Sequence, residues 1–426
     1  MPNFEFDAIV CGAGPAGTTT ALFLGKAGKR VLLLDKEKFP RDKICADNKT
    51  WKCLDIVKEL GLWNEFEKLP KKEIHGVLIG SPSGHTIYTP LLEKDIQEKD
   101  TWFNVRREAF DNFLMEACKK EKNITIREQC IVLKPLFKEK QMMGVQFRNE
   151  QGKTEEQFGK VIVGADGSQS VIANSVGLSS KIKGRYAVNA RAYFENVQGP
   201  MEVVLKQRES TTSRHPALGM CELYYLKGIC PGYFWIFPVD QNWCNVGVGM
   251  RLEDIERKNI QLENKLKEVI ESKKFKERFK NAKQVTEVKQ WGLSVLGKQR
   301  KCSGSGFVLV GDAGTFAMTF SGEGVGPSMR TGKIAAQTIV RALDRNDFSE
   351  QSLNEYDQQL WKILEPEIRG FQWLEFLILH EKIFDWVVKK ARTNKDLIKI
   401  SSRMQKDYRV AQEFIKPKTI LKLLFG

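Results

Sequence analysis

A chain of 426 residues that is 42% hydrophobic and 28% charged is too long for one growing core and too apolar for a disordered polymer, so two or three packed substructures are expected. Its net charge of +15 suits nucleic acid, an anionic membrane or an acidic partner protein, yet no helix-turn-helix or zinc-finger spacing accompanies it, and nucleic acid is set aside. Nine scattered cysteines without a C-x-x-C pair point to a reducing compartment and away from a structural zinc or iron–sulfur site.

The first residues lack the basic and apolar regions of a secretory signal, and the longest apolar stretches are far too short to span a bilayer. A cytoplasmic protein, or one peripheral to a membrane, is the expectation. The apolar run Phe6–Cys11 reads as a buried parallel strand. It leads into the turn Cys11-Gly-Ala-Gly-Pro-Ala-Gly17, a helix over 16–27, and a second strand that ends in the acid Asp35. That order gives a G-x-G-x-x-G its meaning. Gly12 permits the tight turn, Gly14 lets backbone amides approach a pyrophosphate, and Gly17 lets helix and strand pack closely. The helix N-terminus offers unpaired N–H groups to phosphate, and Asp35, 18 residues beyond Gly17, is placed to accept from adenosine ribose hydroxyls.

A charged loop over 39–47 follows, then a helix over 50–66, a hairpin of strands 76–80 and 85–88, a helix over 107–119 and a strand over 124–133. Another buried strand, 160–164, ends in Asp166-Gly167. From 180 to 295 the strands lengthen and carry aromatics, broken by one charged helix over 252–280, as in an inserted antiparallel sheet. A last buried strand ends in Gly311-Asp312, followed by the turn 321–326 and a helix to 343; residues 348–426 read as helical, basic and rich in Trp and Phe. The expected fold is α/β: a Rossmann-like dinucleotide-binding domain in two parts (1–179 and 296–347), an inserted antiparallel substrate domain (180–295) to which 70–100 is a candidate contributor, and a C-terminal helical segment (348–426).

Two features permit two readings each. Tyr233, Trp235 and Phe237 alternate, so they share one face of a strand, as plain sheet core or as the wall of an apolar cavity. Cys45 sits in a charged loop near Arg41 and Lys43, which favours thiolate if those cations are also near in space; otherwise it is a small packing residue.

The glycine turn with Asp35, the segment Gly164-Ala-Asp-Gly167 and the segment Val310-Gly-Asp-Ala313 together resemble the three nucleotide motifs of flavin-dependent hydroxylases. Within that superfamily, Tyr233-Phe-Trp-Ile-Phe-Pro238 resembles the Y-x-W-x-F-P signature of geranylgeranyl reductases, Phe39-Pro-Arg-Asp-Lys-Ile-Cys45 their F-P-R-x-K-x-C loop, and Ser321-Gly-Glu-Gly324 their G-E-G turn. The resemblance implies FAD, with Asp312 accepting from the ribityl chain, Arg107 steadying the pyrophosphate (Arg106 is the neighbouring register), and the turn through Gly322, Glu323, Gly324 and Val325 facing the flavin. It extends the cofactor shell to Ala16, Lys36, Arg41, Cys45, Ala46, Cys130, Ile131, Asp166, Gly167 and Gly311. It implies catalytic roles for Cys45, Tyr233 and Trp235, and a substrate wall of Tyr233, Trp235, Phe237 and Pro238. Two positions depart from the family pattern, Ala46 in place of a glycine and Ala173 in place of an arginine.

The implied activity is reduction of C=C bonds in the polyprenyl chain of a lipid or isoprenoid quinone, with electrons from NAD(P)H or a ferredoxin-type protein. A flavin monooxygenase or halogenase shares the nucleotide motifs, although halogenases carry W-x-W-x-I-P where this chain has Tyr233 and Phe237. A lipid-binding flavoprotein without turnover is the non-enzymatic reading. The segment 414–425 intersperses lysines with apolar residues, and Trp361, Trp373 and Trp386 are amphipathic, so the C-terminal region reads either as a membrane anchor or as a helical cap on the flavin domain.

Overall fold

The run Phe6–Cys11 is buried because it lies between two parallel neighbours, Val31–Leu34 and Thr154–Gly164, which hydrogen-bond both its edges and leave no polar backbone to water. Phe307–Leu309 extends this sheet beyond Thr154–Gly164, and Ile124–Arg127 extends it beyond Val31–Leu34, all in parallel register. The computed structural model describes residues 4–91, 101–199, 219–240, 242–319, 321–416 and 419. Helix Pro15–Lys26 packs on this sheet beside Val325–Arg345, and both point their N-termini toward the carboxyl ends of the strands.

A second sheet joins Tyr186–Glu195, Met220–Tyr224, Tyr233–Pro238 and Trp243–Arg251. It is mixed rather than purely antiparallel: Gly76–Gly80 enters from the first part of the chain and pairs in parallel with Met220–Tyr224, and Thr86–Pro90 follows it as a hairpin. The long helix Glu350–Leu379 crosses behind, with Glu381–Ala391 and Lys395–Met404 after it.

Three expected elements are divided. The helix over 50–66 is two, Trp51–Glu59 and Trp63–Glu67, because Gly61 takes a left-handed φ of 74° and ends the first. The charged helix over 252–280 is three, the first stopping at Asn259 in the left-handed region. The strand over 124–133 turns at Gln129, so Ile124–Arg127 stays in the parallel sheet while Ile131–Lys138 leaves to pair antiparallel with Gln141–Arg148. Helical periodicity continues through such breaks because one left-handed residue leaves the flanking pattern intact.

Candidate active site

The carboxyl ends of the parallel strands and one face of the second sheet enclose a cavity of about 640 Å³. At one end lies the glycine turn. Gly12, at φ 104°, tolerates no side chain, since a Cβ would stand 2.4 Å from the Ala165 carbonyl oxygen. Gly14 and Ala16 face the cavity, and the helix opened by Pro15 has no side-chain cap, so its N-terminal amides are free for an anion. Gly17 is turned inward against the Gly12 carbonyl, which is close helix–strand packing rather than cavity lining. The Asp35 carboxylate accepts from the Ala13 amide at 2.6 Å and the Glu37 amide at 2.8 Å, which holds the turn, while burial raises its pKa. Lys36, Cys130 and Ile131 line the cavity beside it.

Along the middle, the Arg107 guanidinium forms two 2.7 Å bonds to Asp111, and Arg41 adds a third at 2.7 Å. Both arginines reach the cavity already locked in place. Arg106, the neighbouring register, turns instead to Glu108 and stacks on Trp243. Asp166 and Gly167 line the wall, but the Asp166 carboxylate is occupied by its own turn, accepting from the Ser170 hydroxyl and the Val171 amide. Ala173 is fully buried in the next helical turn, away from the cavity. Asp312 lies across from Lys43 and Arg107; burial raises its pKa and the two cations oppose that rise. Among the described residues no hydrogen-bond donor reaches its carboxylate. Gly311 sits behind, its amide held by the Thr331 hydroxyl.

At the far end Gly322, Gly324 and Val325 line the cavity, and helix Val325–Arg345 presents a second uncapped N-terminus. Glu323 does not point in. It accepts from the hydroxyls of Thr50 and Tyr408, the latter at 2.5 Å, and so fastens the turn to the C-terminal helical region. Burial and the Glu323 charge keep the Tyr408 phenol protonated.

The opposite wall is aromatic. Tyr233 and Trp235 line the cavity, with the Tyr233 hydroxyl donating to the Ser321 carbonyl at 2.9 Å. Gly247 across the sheet makes room for the indole, because a Cβ there would lie 2.2 Å from a Trp235 ring carbon. The expected wall of four residues is cut to two. Phe237 belongs to the core, and the Pro238 carbonyl accepts from Asn104 at 2.7 Å. Phe237 shares the face of Tyr233 and Trp235 but lies past the end of the cavity, and Pro238, the next residue along, falls on the opposite face.

Cys45 and Ala46 reach the cavity between these walls. The cation that faces the Cys45 sulfur is Arg107, from a helix sixty residues on, rather than its sequence neighbours Arg41 or Lys43. Its loop is held by Asp47, the last residue of the charged loop, and by Asn245, which the sequence did not mark. Asp47, buried at φ 71°, accepts from the Arg107 amide, the Tyr193 hydroxyl and the Asn245 carboxamide. Asn245 also donates to the Cys45 carbonyl and accepts from the Trp235 indole. Lys43 and Trp291 complete the rim, with the ammonium 3.2 Å from the ring centroid; burial, then Arg107, lower the Lys43 pKa to about 7. The Trp291 indole N–H is buried without a partner among the described residues. Lys43 stood inside the recognised loop, whereas no local pattern marks Asn245 or Trp291.

Residues 5–359 match the FAD binding domain family. The chain is 30% identical over 364 residues to digeranylgeranylglycerophospholipid reductase of Methanocaldococcus jannaschii, covering 84% of this chain and 83% of that protein. It belongs to the geranylgeranyl reductase family. The protein of the same name from Methanosarcina acetivorans is 27% identical, covering 84% of this chain and 80% of its own. A geranylgeranyl bacteriochlorophyll reductase-like structure from Thermoplasma acidophilum shares the fold at a TM-score of 0.79 and 20% identity, over 96% of this chain and 98% of that one. A flavin-dependent brominase, Bmp2, shares it at 0.76 and 19%, over 96% and 97%.

The cavity fits the cofactor of this family of FAD-dependent reductases. The two uncapped helix ends, the free Asp312 carboxylate, the pre-set arginine pair and the unpartnered Trp291 N–H are each an unfilled demand that a flavin dinucleotide meets. The glycine turn and Asp35 would hold the adenosine and pyrophosphate, Asp312 the ribityl chain, and the Val325 helix N-terminus the flavin ring.

Proposed function

We propose that this enzyme hydrogenates C=C bonds in the polyprenyl chain of a lipid or isoprenoid quinone. One observation carries the reading: the aromatic wall Tyr233–Trp235 and the Cys45 loop share a single cavity with the glycine turn and Asp312. Reduced FAD, when bound, supplies the hydride for one alkene carbon, and a proton completes the other. Tyr233 and Trp235 offer the isoprenoid an apolar surface, since its affinity scales with apolar area removed from water. Trp235 keeps its own N–H paired to Asn245, so it presents no unmet donor to the alkene. The Cys45 Sγ, beside the Arg107 guanidinium, brings a thiol to the same cavity. Burial keeps the Tyr233 phenol protonated, so its role is packing and closing the turn through Ser321.

The division into an FAD-binding part (1–179 and 296–347), a substrate part (180–295 with Gly76–Gly80 and Thr86–Pro90) and a helical C-terminus belongs to the same reading. Electrons come from NAD(P)H or a ferredoxin-type protein, and the basic chain suits an acidic carrier. The protein works in the cytoplasm at a membrane surface, where polyprenyl substrates reside; among the described residues no helix is long and apolar enough to cross a membrane.

The test is anaerobic. Purified protein should release FAD rather than FMN, and its reduced form should be reoxidised by a geranylgeranyl substrate without oxygen. Reoxidation that requires oxygen together with substrate would transfer the protein to the monooxygenase or halogenase class, and reoxidation by neither would make it a binding protein. Mass spectrometry of polyprenyl lipids from cells with and without the protein then identifies the head group.

A further inference from the structure

Among the described residues, four of the most exposed large apolar side chains fall within eleven positions: Phe376 at 42%, Leu379 at 46%, Ile383 at 42% and Trp386 at 36%. They flank the break at His380 between helices Glu350–Leu379 and Glu381–Ala391. Each helix contributes a pair spaced three residues apart, hence on one face. The other faces are anchored: Ile378 and Leu377 are buried, and the Phe384 ring packs 5.1 Å from that of Tyr225. The patch is therefore carried on a fixed support. It is also continuous with the cavity, because Ile378 and Leu379 line the cavity and Leu379 is open to solvent as well. The helix break forms the lip of the mouth.

The charge around the lip is mainly positive, with Glu375 paired to Arg185 and Glu381 the acid that opens the second helix. Lys382, Lys389 and Lys390 are exposed on the second helix, while Asp385 is turned inward to the Ser81 hydroxyl and the Ser83 amide. Residues 380–426 contain twelve Lys and Arg against five Asp and Glu. Apolar side chains that project beside lysines, around the entrance to an apolar cavity, match the interface of an anionic bilayer, where the rings and alkyl groups enter the acyl boundary and the ammonium groups stay among phosphates.

We infer that the lip Phe376–Leu379–Ile383–Trp386 docks on an anionic membrane and opens the cavity directly to the acyl layer. The inference rests on the polyprenyl reading and locates its membrane contact. A polyprenyl tail then passes from bilayer to cavity along Leu379 and Ile378 without crossing water, which is the cost that an exposed mouth would impose on each isoprene unit. The basic segment 414–425, whose residues 417, 418 and 420–425 lie outside the described residues, is not needed for this contact.

The experiment is sedimentation of the FAD-loaded protein with vesicles of phosphatidylglycerol and phosphatidylcholine. Wild type should bind the mixed vesicles, lose binding as salt rises, and ignore phosphatidylcholine alone. An Ile383→Glu/Trp386→Glu double variant should bind at least tenfold more weakly, with its flavin spectrum and melting temperature unchanged. Phe137→Glu, which alters another exposed apolar residue at 47%, should bind like wild type. Equal binding by wild type and the double variant overturns the inference. So does a dimer without vesicles that the double variant converts to monomer, because the lip would then be a contact between copies of this chain. Turnover of a detergent-dispersed geranylgeranyl substrate keeps the two readings apart: the double variant should retain it. If wild type binds vesicles through the lip but turns over no dispersed substrate, docking stands and the reductase reading falls.

Discussion

The Asn245 carboxamide donates to the Cys45 carbonyl at 2.6 Å, joining positions two hundred residues apart, while its oxygen accepts from the Trp235 indole at 2.8 Å. The cysteine loop and the aromatic wall are thus held at a fixed separation by one side chain, which Asp47 anchors in turn. Removing it leaves buried donors and acceptors unmatched, at a cost of about 1–3 kcal/mol. Asn245→Ala should therefore slow anaerobic reoxidation of reduced flavin by substrate roughly 5- to 150-fold, with FAD content preserved. Wild-type reoxidation rates in this variant would show that loop and wall act independently.

Cys45→Ser tests the loop's chemistry. Serine fills the same space and its backbone still accepts from Asn245, but it replaces the thiol beside Arg107 with a hydroxyl. FAD binding should be unchanged and substrate reduction slower. Full turnover would make Cys45 a packing residue.

Asp312 and Asp166 are expected to separate. Asp312 has a free carboxylate in the cavity, so Asp312→Ala should weaken FAD binding by about 1.5–3 kcal/mol, the value of a hydrogen bond to a charged group. The carboxylate of Asp166 is spent on Ser170 and Val171, so Asp166→Ala should act through the turn, lowering thermal stability along with affinity. Flavin titration and melting curves on both variants check this; unchanged affinity in the Asp312 variant would remove it from the site.

Cofactor binding is expected to depend on pH through Lys43. Burial lowers its pKa from 10.5 to about 7, with Arg107, Arg41 and Lys36 adding to the shift and Asp312 opposing it. Between those values the unfolded chain holds more protons than the folded one at this position. Apoprotein stability should therefore rise with pH across that window, and the Lys43 penalty is at full size below about 7. An anionic diphosphate at the cavity restores the proton, so FAD affinity should fall as pH rises above about 7, by up to about tenfold per unit. Lys43→Met should flatten that slope in a fluorescence titration. The same slope in variant and wild type would assign the dependence to another group.

Much of this protein is written in short stretches of sequence. A buried strand, a turn that only glycine fits, an uncapped helix and a terminal acid are decided by residues within a few positions of each other. The cradle around Gly12, Gly14 and Asp35, the Gly311-Asp312 turn and the family could therefore be read directly, because backbone conformation and capping are local properties. What lies across the cavity from what is settled by sheet register and by helices brought in from elsewhere. Only the folded chain sets Arg107 rather than Arg41 against the Cys45 sulfur, ties that loop to Trp235 through Asn245, and turns Glu323 away to Tyr408. It also takes Phe237 past the cavity that Tyr233 and Trp235 line, since alternation along a strand specifies the face but not where along that face the cavity ends.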